Sequence, residues 1–255
     1  MNKNLLRHYD QKYVEERNHG SYEMEIQLRA FPRTRFEAAA NFFCRQFRGG
    51  QILELAAGDG ALASTILKSE VPITSYIATE FSDSRLTGLR ASLSDPRVRV
   101  AQLDAENIPE EFSNRFDAVI MIALIEHLID PLRAMRQICE TLKPGGLVFI
   151  DTPNIALFSR RLKLLLGQFP STASSNEGLT TYDGQKIDLY DEGHMHYFTF
   201  RSLSLMLTQY CGFERVEMYP YFQERPFFPQ PLFHILSRVW PQMFSELVIV
   251  AYRAR

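Results

Sequence analysis

Apolar residues fall in short, nearly continuous runs separated by stretches in which they recur every three or four positions. QILELAA (51–57), SYIATEF (75–81), VRVAQLD (98–104), FDAVIMIAL (116–124) and LVFIDTP (147–153) read as five strands. Helices are expected over 61–68, from the second strand's end to about 93, and over 131–142, where Leu132, Met135, Ile138 and Leu142 share one face. Before them, Phe36, Ala39, Ala40, Phe43 and Phe47 have helical spacing, so residues 1–48 read as two helices, the second stopped by Gly49-Gly50. Alternating strands and helices with continuous apolar strands predict a parallel sheet covered on both faces. After Pro153 the alternation lapses. It resumes with a helix at 201–210 and strands at 213–219 and 246–252, leaving a lid at 154–200 and an aromatic, Pro-rich insertion at 220–244. The expected division is an arm or cap at 1–48 and one domain at 49–255.

Composition narrows the class. The chain has 255 residues, 45% apolar and 23% charged, which excludes disordered and coiled-coil classes. Lys plus Arg number 28 against 30 Asp plus Glu, a poor balance for gripping nucleic acid, so none is expected as a partner. The longest uncharged apolar run, 118–125, is far shorter than the roughly 20 residues needed to span a bilayer. Cys44, Cys139 and Cys211 have no paired spacing. A soluble, cytoplasmic protein, monomeric or homodimeric, is the expectation.

The first strand runs into Glu54-Leu55-Ala56-Ala57-Gly58-Asp59-Gly60, a turn at the edge where open α/β sheets bind ligands. Twenty residues past Gly60, Glu80 ends the second strand, placed to accept both hydroxyls of a ribose; its alternative role is to cap a helix. Gly58-x-Gly60-x-x-Ala63 alone also fits a loose dinucleotide fingerprint. Glu54 separates the readings. A carboxylate at the turn's root repels a pyrophosphate and welcomes an ammonium, unless it only holds the loop. S-adenosylmethionine (SAM) is such a ligand: a nucleoside, a sulfonium and an α-amino acid. Asp104 can accept from an adenine amino group or simply cap its loop.

ILELAAGDG, ATEFS, LDAENIP, FDAVIMIALIEHLIDPLRAMRQICETLKPGGLVFIDTPN and HMHYFTFRSL, in this order over about residues 45–255, resemble the successive motifs of class I SAM-dependent methyltransferases. The likeness is greatest to the branch with Glu-His-Leu after strand four and Lys-Pro-Gly-Gly before strand five. It implies a Rossmann-like, seven-stranded sheet with an antiparallel last strand, and SAM as donor with S-adenosylhomocysteine as product. It places Glu54, Ala56, Gly58 and Gly60 around the methionine part, Glu80 with Phe81 at the ribose, and Asp104 with Ala105 at the adenine. Ala56 departs from the pattern, standing where the first glycine usually is. The tail is similar to methyltransferases of envelope saccharides and natural-product sugars. Tyr9 and Tyr13 either close over the donor or pack on 36–47, and Tyr13 is counted with the donor residues.

Methyl transfer to a hydroxyl needs a base near neutral pH, a role suited to histidine. His194, in His194-Met195-His196, is the first candidate and His127 the second; the bland alternatives are lid packing and helix capping. Small-RNA methyltransferases of similar pattern hold magnesium through Glu-x-x-Glu-His plus a later His. Here Ala123 replaces the first Glu, so no metal is expected. The basic amphipathic stretch 160–166, with Phe222, Phe227, Phe228, Phe233, Trp240 and Phe244, forms a lid core or touches a membrane peripherally. The expected activity is methylation of a small-molecule hydroxyl, a sugar (free, lipid-linked or nucleotide-linked) or a secondary metabolite. Rivals are an N-methyltransferase, an NAD-dependent oxidoreductase and a non-catalytic SAM-binding module.

Overall fold

The computed structural model describes residues 26–174, 176–180, 189–223 and 229–255. In chain order the elements are α1 (Arg35–Arg45), β1 (Gly50–Leu55), α2 (Ala61–Leu67), β2 (Ile73–Glu80), α3 (Asp83–Ser92), β3 (Val98–Gln102), β4 (Phe116–Ile122), α4 (Pro131–Thr141), β5 (Leu142–Thr152), α5 (Phe158–Leu165), α6 (Phe200–Tyr210), β6 (Phe213–Met218), α7 (Gln230–Val239), α8 (Pro241–Phe244) and β7 (Leu247–Arg253). The seven strands form one sheet in the order β3-β2-β1-β4-β5-β7-β6. β1 to β5 are parallel, and β7 runs antiparallel to both of its neighbours, as the resemblance implies.

Both sheet faces are covered, which is why the strands lack a polar alternation. Leu53, Leu55, Val119, Met121, Val148 and Ile150 pack on one face with Met135 and Ile138 of α4 and Leu203 and Leu207 of α6. Ile52, Tyr76, Ala118, Ile120 and Phe149 occupy the other, with α1 and α2. Residues 35–47, within the segment assigned to an arm, are a layer of this core: Phe42 and Phe43 lie 5.6 and 5.7 Å from the Phe149 ring. Truncating Phe43 to Ala should cost about 3–5 kcal/mol. The first of the two helices expected in 1–48 lies outside the described residues.

Most strand ends lie within about two residues of expectation, and two features depart further. β5 begins at Leu142, five residues before the strand read from the sequence, so the Lys-Pro-Gly-Gly turn is a bulge inside it. Its register with β4 jumps from Phe116↔Leu142 to Ala118↔Leu147, and Lys143 Nζ holds Asp117 at 2.7 Å across the irregularity. The alternation also does not lapse wholly after Pro153, since α5 lies within the lid segment. In 220–244 the aromatic rings pack on one another: Phe222 on Phe233 at 5.0 Å, and Phe244 on Phe158 of α5 at 5.7 Å. Leu164, Leu165 and Leu166 face solvent, and among the described residues no helix is long and apolar enough to cross a membrane.

Candidate active site

β1 leads outward to β2 and β3, while β4, its other neighbour, leads to β5. The strand order therefore reverses between β1 and β4, where a crevice opens beyond the strands' carboxyl ends. Each strand ends in a non-glycine residue with left-handed backbone, Ala56 (φ 55°) after β1 and Ala123 (φ 48°) after β4. Ala57 N donates to Thr79 O and Ala123 N to Asp151 O, so each turn is tied to the strand beyond it. Between the turns lies a cleft of about 2080 Å³ lined by Glu54, Ala56, Gly58, Gly60, Glu80, Phe81, Asp104, Ala105, His127 and His194. Ten candidates from distant parts of the chain thus meet in one place. Tyr13 lies outside the described residues, and His196 does not line the cleft.

On the β1 side the backbone makes the space. Gly58 (φ 62°) would point a Cβ into the cleft, with only Arg85 Nη1 within 4 Å, at 3.9 Å. Gly60 (φ 82°) has no such room, for a Cβ there would come within 2.9 Å of Leu93 Cγ. Glu80 Oε1 accepts from Gly58 N at 2.6 Å, with Arg85 Nη1 3.8 Å away. Its capping alternative does not hold, because Ser82 caps α3. Asp104 accepts from Glu106 N and Asn107 Nδ2, which holds its own loop and leaves part of a carboxylate's roughly four acceptor positions for a ligand.

Glu54 is buried on the cleft floor and accepts from Tyr76 Oη at 2.7 Å. Burial pushes its carboxyl up to about 8 against the Tyr76 hydrogen bond, with Glu80 and Asp59 adding repulsion. The anionic selector expected from sequence is therefore mostly neutral in the unliganded protein at pH 7. A positive charge placed beside it would favour the ionised form. This suits SAM's amino-acid end, and it disfavours a diphosphate, which brings no positive charge.

On the β4 side two imidazoles meet edge to face, His127 and His194, with ring centroids 4.6 Å apart. The Glu126 carbonyl accepts from both Met195 N and His196 N, pinning the lid segment to the β4 edge. His127 caps no helix; Asp130 caps α4. His194 Nδ1 lies 2.6 Å from Thr172 Oγ1, whose hydroxyl donates to Asp191 Oδ2 at 2.9 Å. A hydroxyl carries one proton. Directed at Asp191, it leaves Nδ1–H as the donor to Thr172, so Nε2 carries the lone pair.

Asp191 is fully buried and also accepts from Ser171 Oγ, Tyr197 Oη and Ala173 N. Burial raises its carboxyl, but these hydrogen bonds outweigh it and hold it below the ordinary value. Asp191, Glu192 and Gly193 all have positive φ, a strained turn of the kind that persists where side-chain contacts over-determine it. The sequence reading missed Thr172 and Asp191. The available signal was Asp191 lying three residues before His194.

Glu126, His127 and His194 each offer a ligand atom within 4.8 Å of the others. The Glu126 carboxyl is buried, takes one bond from Thr152 Oγ1, and is pushed up to about 7, chiefly by burial. Two imidazoles and one carboxylate suit a borderline transition ion better than magnesium.

A family described as a methyltransferase domain matches residues 24–217. The chain is similar to a demethylmenaquinone methyltransferase of Clavibacter sepedonicus, 28% identical over 152 residues that cover 56% of this chain and 60% of that protein. It is 32% identical over 109 residues to a ubiquinone biosynthesis O-methyltransferase of Xanthomonas oryzae pv. oryzae, covering 42% and 44%. The chain thus spans about half the length of the curated relatives it matches. A SAM-dependent methyltransferase from Thermotoga maritima shares the fold, with TM-score 0.60 and 16% identity over 98% of this chain and 100% of the other. Sheet order, crevice and family match agree: the chain belongs to the methyltransferase-domain family, within the class I SAM-dependent methyltransferases.

Proposed function

We propose that the chain transfers a methyl group from SAM to a hydroxyl of a small molecule, and that His194, with His127 beside it, takes the hydroxyl proton. The observation that carries this reading is the Asp191–Thr172–His194 chain of contacts ending at the cleft. Membership in the family sets aside the nicotinamide oxidoreductase alternative. When bound, SAM supplies a methyl already activated by the sulfonium. Glu54, Gly58, Gly60, Glu80 and Asp104 hold the donor, Glu54 at the amino-acid end and Glu80 at the ribose. His194 Nε2 would accept the hydroxyl proton as the methyl passes from sulfur to oxygen and S-adenosylhomocysteine leaves, with Asp191 balancing the imidazolium across Thr172. A positioned base of this kind contributes about 10²–10⁴-fold.

The likeness to ubiquinone biosynthesis O-methyltransferases favours a quinol hydroxyl as a second acceptor class. The saccharide-like tail favours a sugar, which we take as the first. The test is transfer of labelled methyl from SAM to panels of sugars, sugar phosphates, catechols and amines. His127→Ala with His194→Ala should abolish transfer to hydroxyls and largely spare amines; an undiminished rate on a hydroxyl removes the base assignment. Prolonged dialysis against a chelator should leave that rate unchanged, whereas loss restored by one divalent ion would assign the Glu126–His127–His194 cluster to metal instead.

A further inference from the structure

Two helices leave their apolar stripes uncovered. On α5, Phe158, Leu162 and Leu165 recur at i, i+4 and i+7, and on α7, Leu232, Ile235 and Val239 recur at i, i+3 and i+7, all of them exposed. Leu165 is 81% exposed and Val239 77%. Stripes of this kind ordinarily face a core. The Phe244 ring of α8 joins the two helices, lying 5.7 Å from Phe158, 5.7 Å from Phe233 and 6.1 Å from Trp240. The uncovered stripes therefore belong to one surface, with the half-exposed Trp240 at its joint. A large exposed apolar surface marks an interaction site.

Charge decides what this surface fits. Residues 152–174 and 229–245 contain no Asp or Glu, in a chain that has 30. Arg161 and Arg238 are exposed on the two helices. Arg161 Nε donates to Ala156 O, Arg238 Nη2 donates to Ala30 O, and Arg238 also lies over the Phe31 ring. Among the described residues neither guanidinium meets a carboxylate. Leucines flanked by arginines, with an indole at the joint and no acidic group, suit a face that lies in a lipid headgroup layer. A second copy of the chain, docked on the same face, would bring arginine against arginine.

We propose that α5 and the α7–α8 unit form a docking face for the surface of an anionic lipid bilayer. The leucines enter the boundary between headgroups and acyl chains, and Arg161 and Arg238 meet lipid phosphates. The face has a use in the fold. The inner side of α5 turns Ser159 and Arg160 toward a cavity of about 360 Å³ that shares Arg35 with the cleft, and Thr172 on the cavity wall lies 2.6 Å from His194. A docked bilayer is then separated from that cavity by about one helix diameter, roughly 10 Å. The inference does not depend on which acceptor is methylated.

Trp240 is the chain's one tryptophan, so its emission reports on this face alone. The test is titration of the full chain with phosphatidylcholine vesicles, with and without phosphatidylglycerol, read by Trp240 emission and by co-sedimentation. Binding to the anionic vesicles should be tighter by about tenfold or more, should weaken as salt is raised, and should shift Trp240 emission to the blue. Leu165→Ser with Val239→Ser, at two exposed positions, should weaken vesicle binding by about fivefold or more and leave the affinity for S-adenosylhomocysteine unchanged. The proposal is overturned if the chain binds S-adenosylhomocysteine but no anionic vesicle, if it binds vesicles with Trp240 emission unmoved, or if the double variant binds them as well as the wild type. Equal binding to the uncharged vesicles overturns it as well, and so does a dimer that the double variant abolishes while vesicles stay unbound.

Discussion

The two sides of the cleft are built differently. On the β1 side the turn from Glu54 to Gly60 is one stretch of chain, completed by Glu80 at the next strand's end. Its shape comes from backbone, two glycines with positive φ and two buried carboxyls, Glu54 and Glu80. On the β4 side only Asp191 and His194 share a stretch of chain. His127, Thr172, Asp191 and His194 come from three separate segments and are held by side-chain hydrogen bonds and a strained turn. The first construction suits a donor of constant structure. The second can be altered one residue at a time, which suits an acceptor that varies between relatives.

The largest expected effect isolates the acceptor side. His127→Ala with His194→Ala should lower methylation of a hydroxyl by about 10²–10⁴-fold while the dissociation constant of S-adenosylhomocysteine stays within twofold. A matching loss of cofactor affinity would mean that the two sides are not separable.

The donor side is probed by pH. Glu54 titrates near 8 in the unliganded protein, and a bound ammonium favours its ionised form. Binding must then release a proton, so SAM affinity should rise with pH between 6 and 8, by at most about tenfold per unit. Glu54→Gln should weaken binding by about tenfold and flatten that dependence. A flat wild-type profile in the same range would remove Glu54 from the ligand's cationic end.

Asp191→Asn sharpens the acceptor side. The amide presents hydrogens to donors that now point at a carboxylate, costing about 1–3 kcal/mol in chemical denaturation. With His194 no longer fixed, kcat on a hydroxyl should fall about tenfold with KM changed less than twofold. A fall confined to stability would leave Asp191 a purely structural residue.

The smallest effect compares the two turns directly. Ala56→Gly and Ala123→Gly each relieve a left-handed non-glycine residue, and each should stabilise the protein by up to about 1 kcal/mol, read from denaturant midpoints. Destabilisation by either would show that the methyl group is packed rather than tolerated.

Legibility in the sequence followed the same division. Gly58, Gly60 and Glu80 could be found because their spacing is a property of one strand–turn–helix–strand unit. His127 was visible by its place after β4, and His194 only by resemblance. Thr172 and the Asp151–Arg35 pair were not read at all, since each has meaning only through a partner far along the chain, and Asp191 was not read because its three-residue spacing from His194 gains meaning only when Ser171 and Thr172 pack beside it. The bulge in β5 was missed for a similar reason: Pro144-Gly145-Gly146 looks like a turn until β4 is beside it.

By itself, then, the order of residues determined the layered α/β architecture, the cleft's location and the glycine turn after β1, because apolar periodicity and strand-end glycines act over a few neighbouring positions. Tertiary structure alone decided how the histidines meet, that Thr172 and Asp191 stand behind His194, that burial raises the Glu54 carboxyl, and that a second cavity adjoins the cleft. Those properties depend on burial and on distances between segments, and no local pattern encodes either.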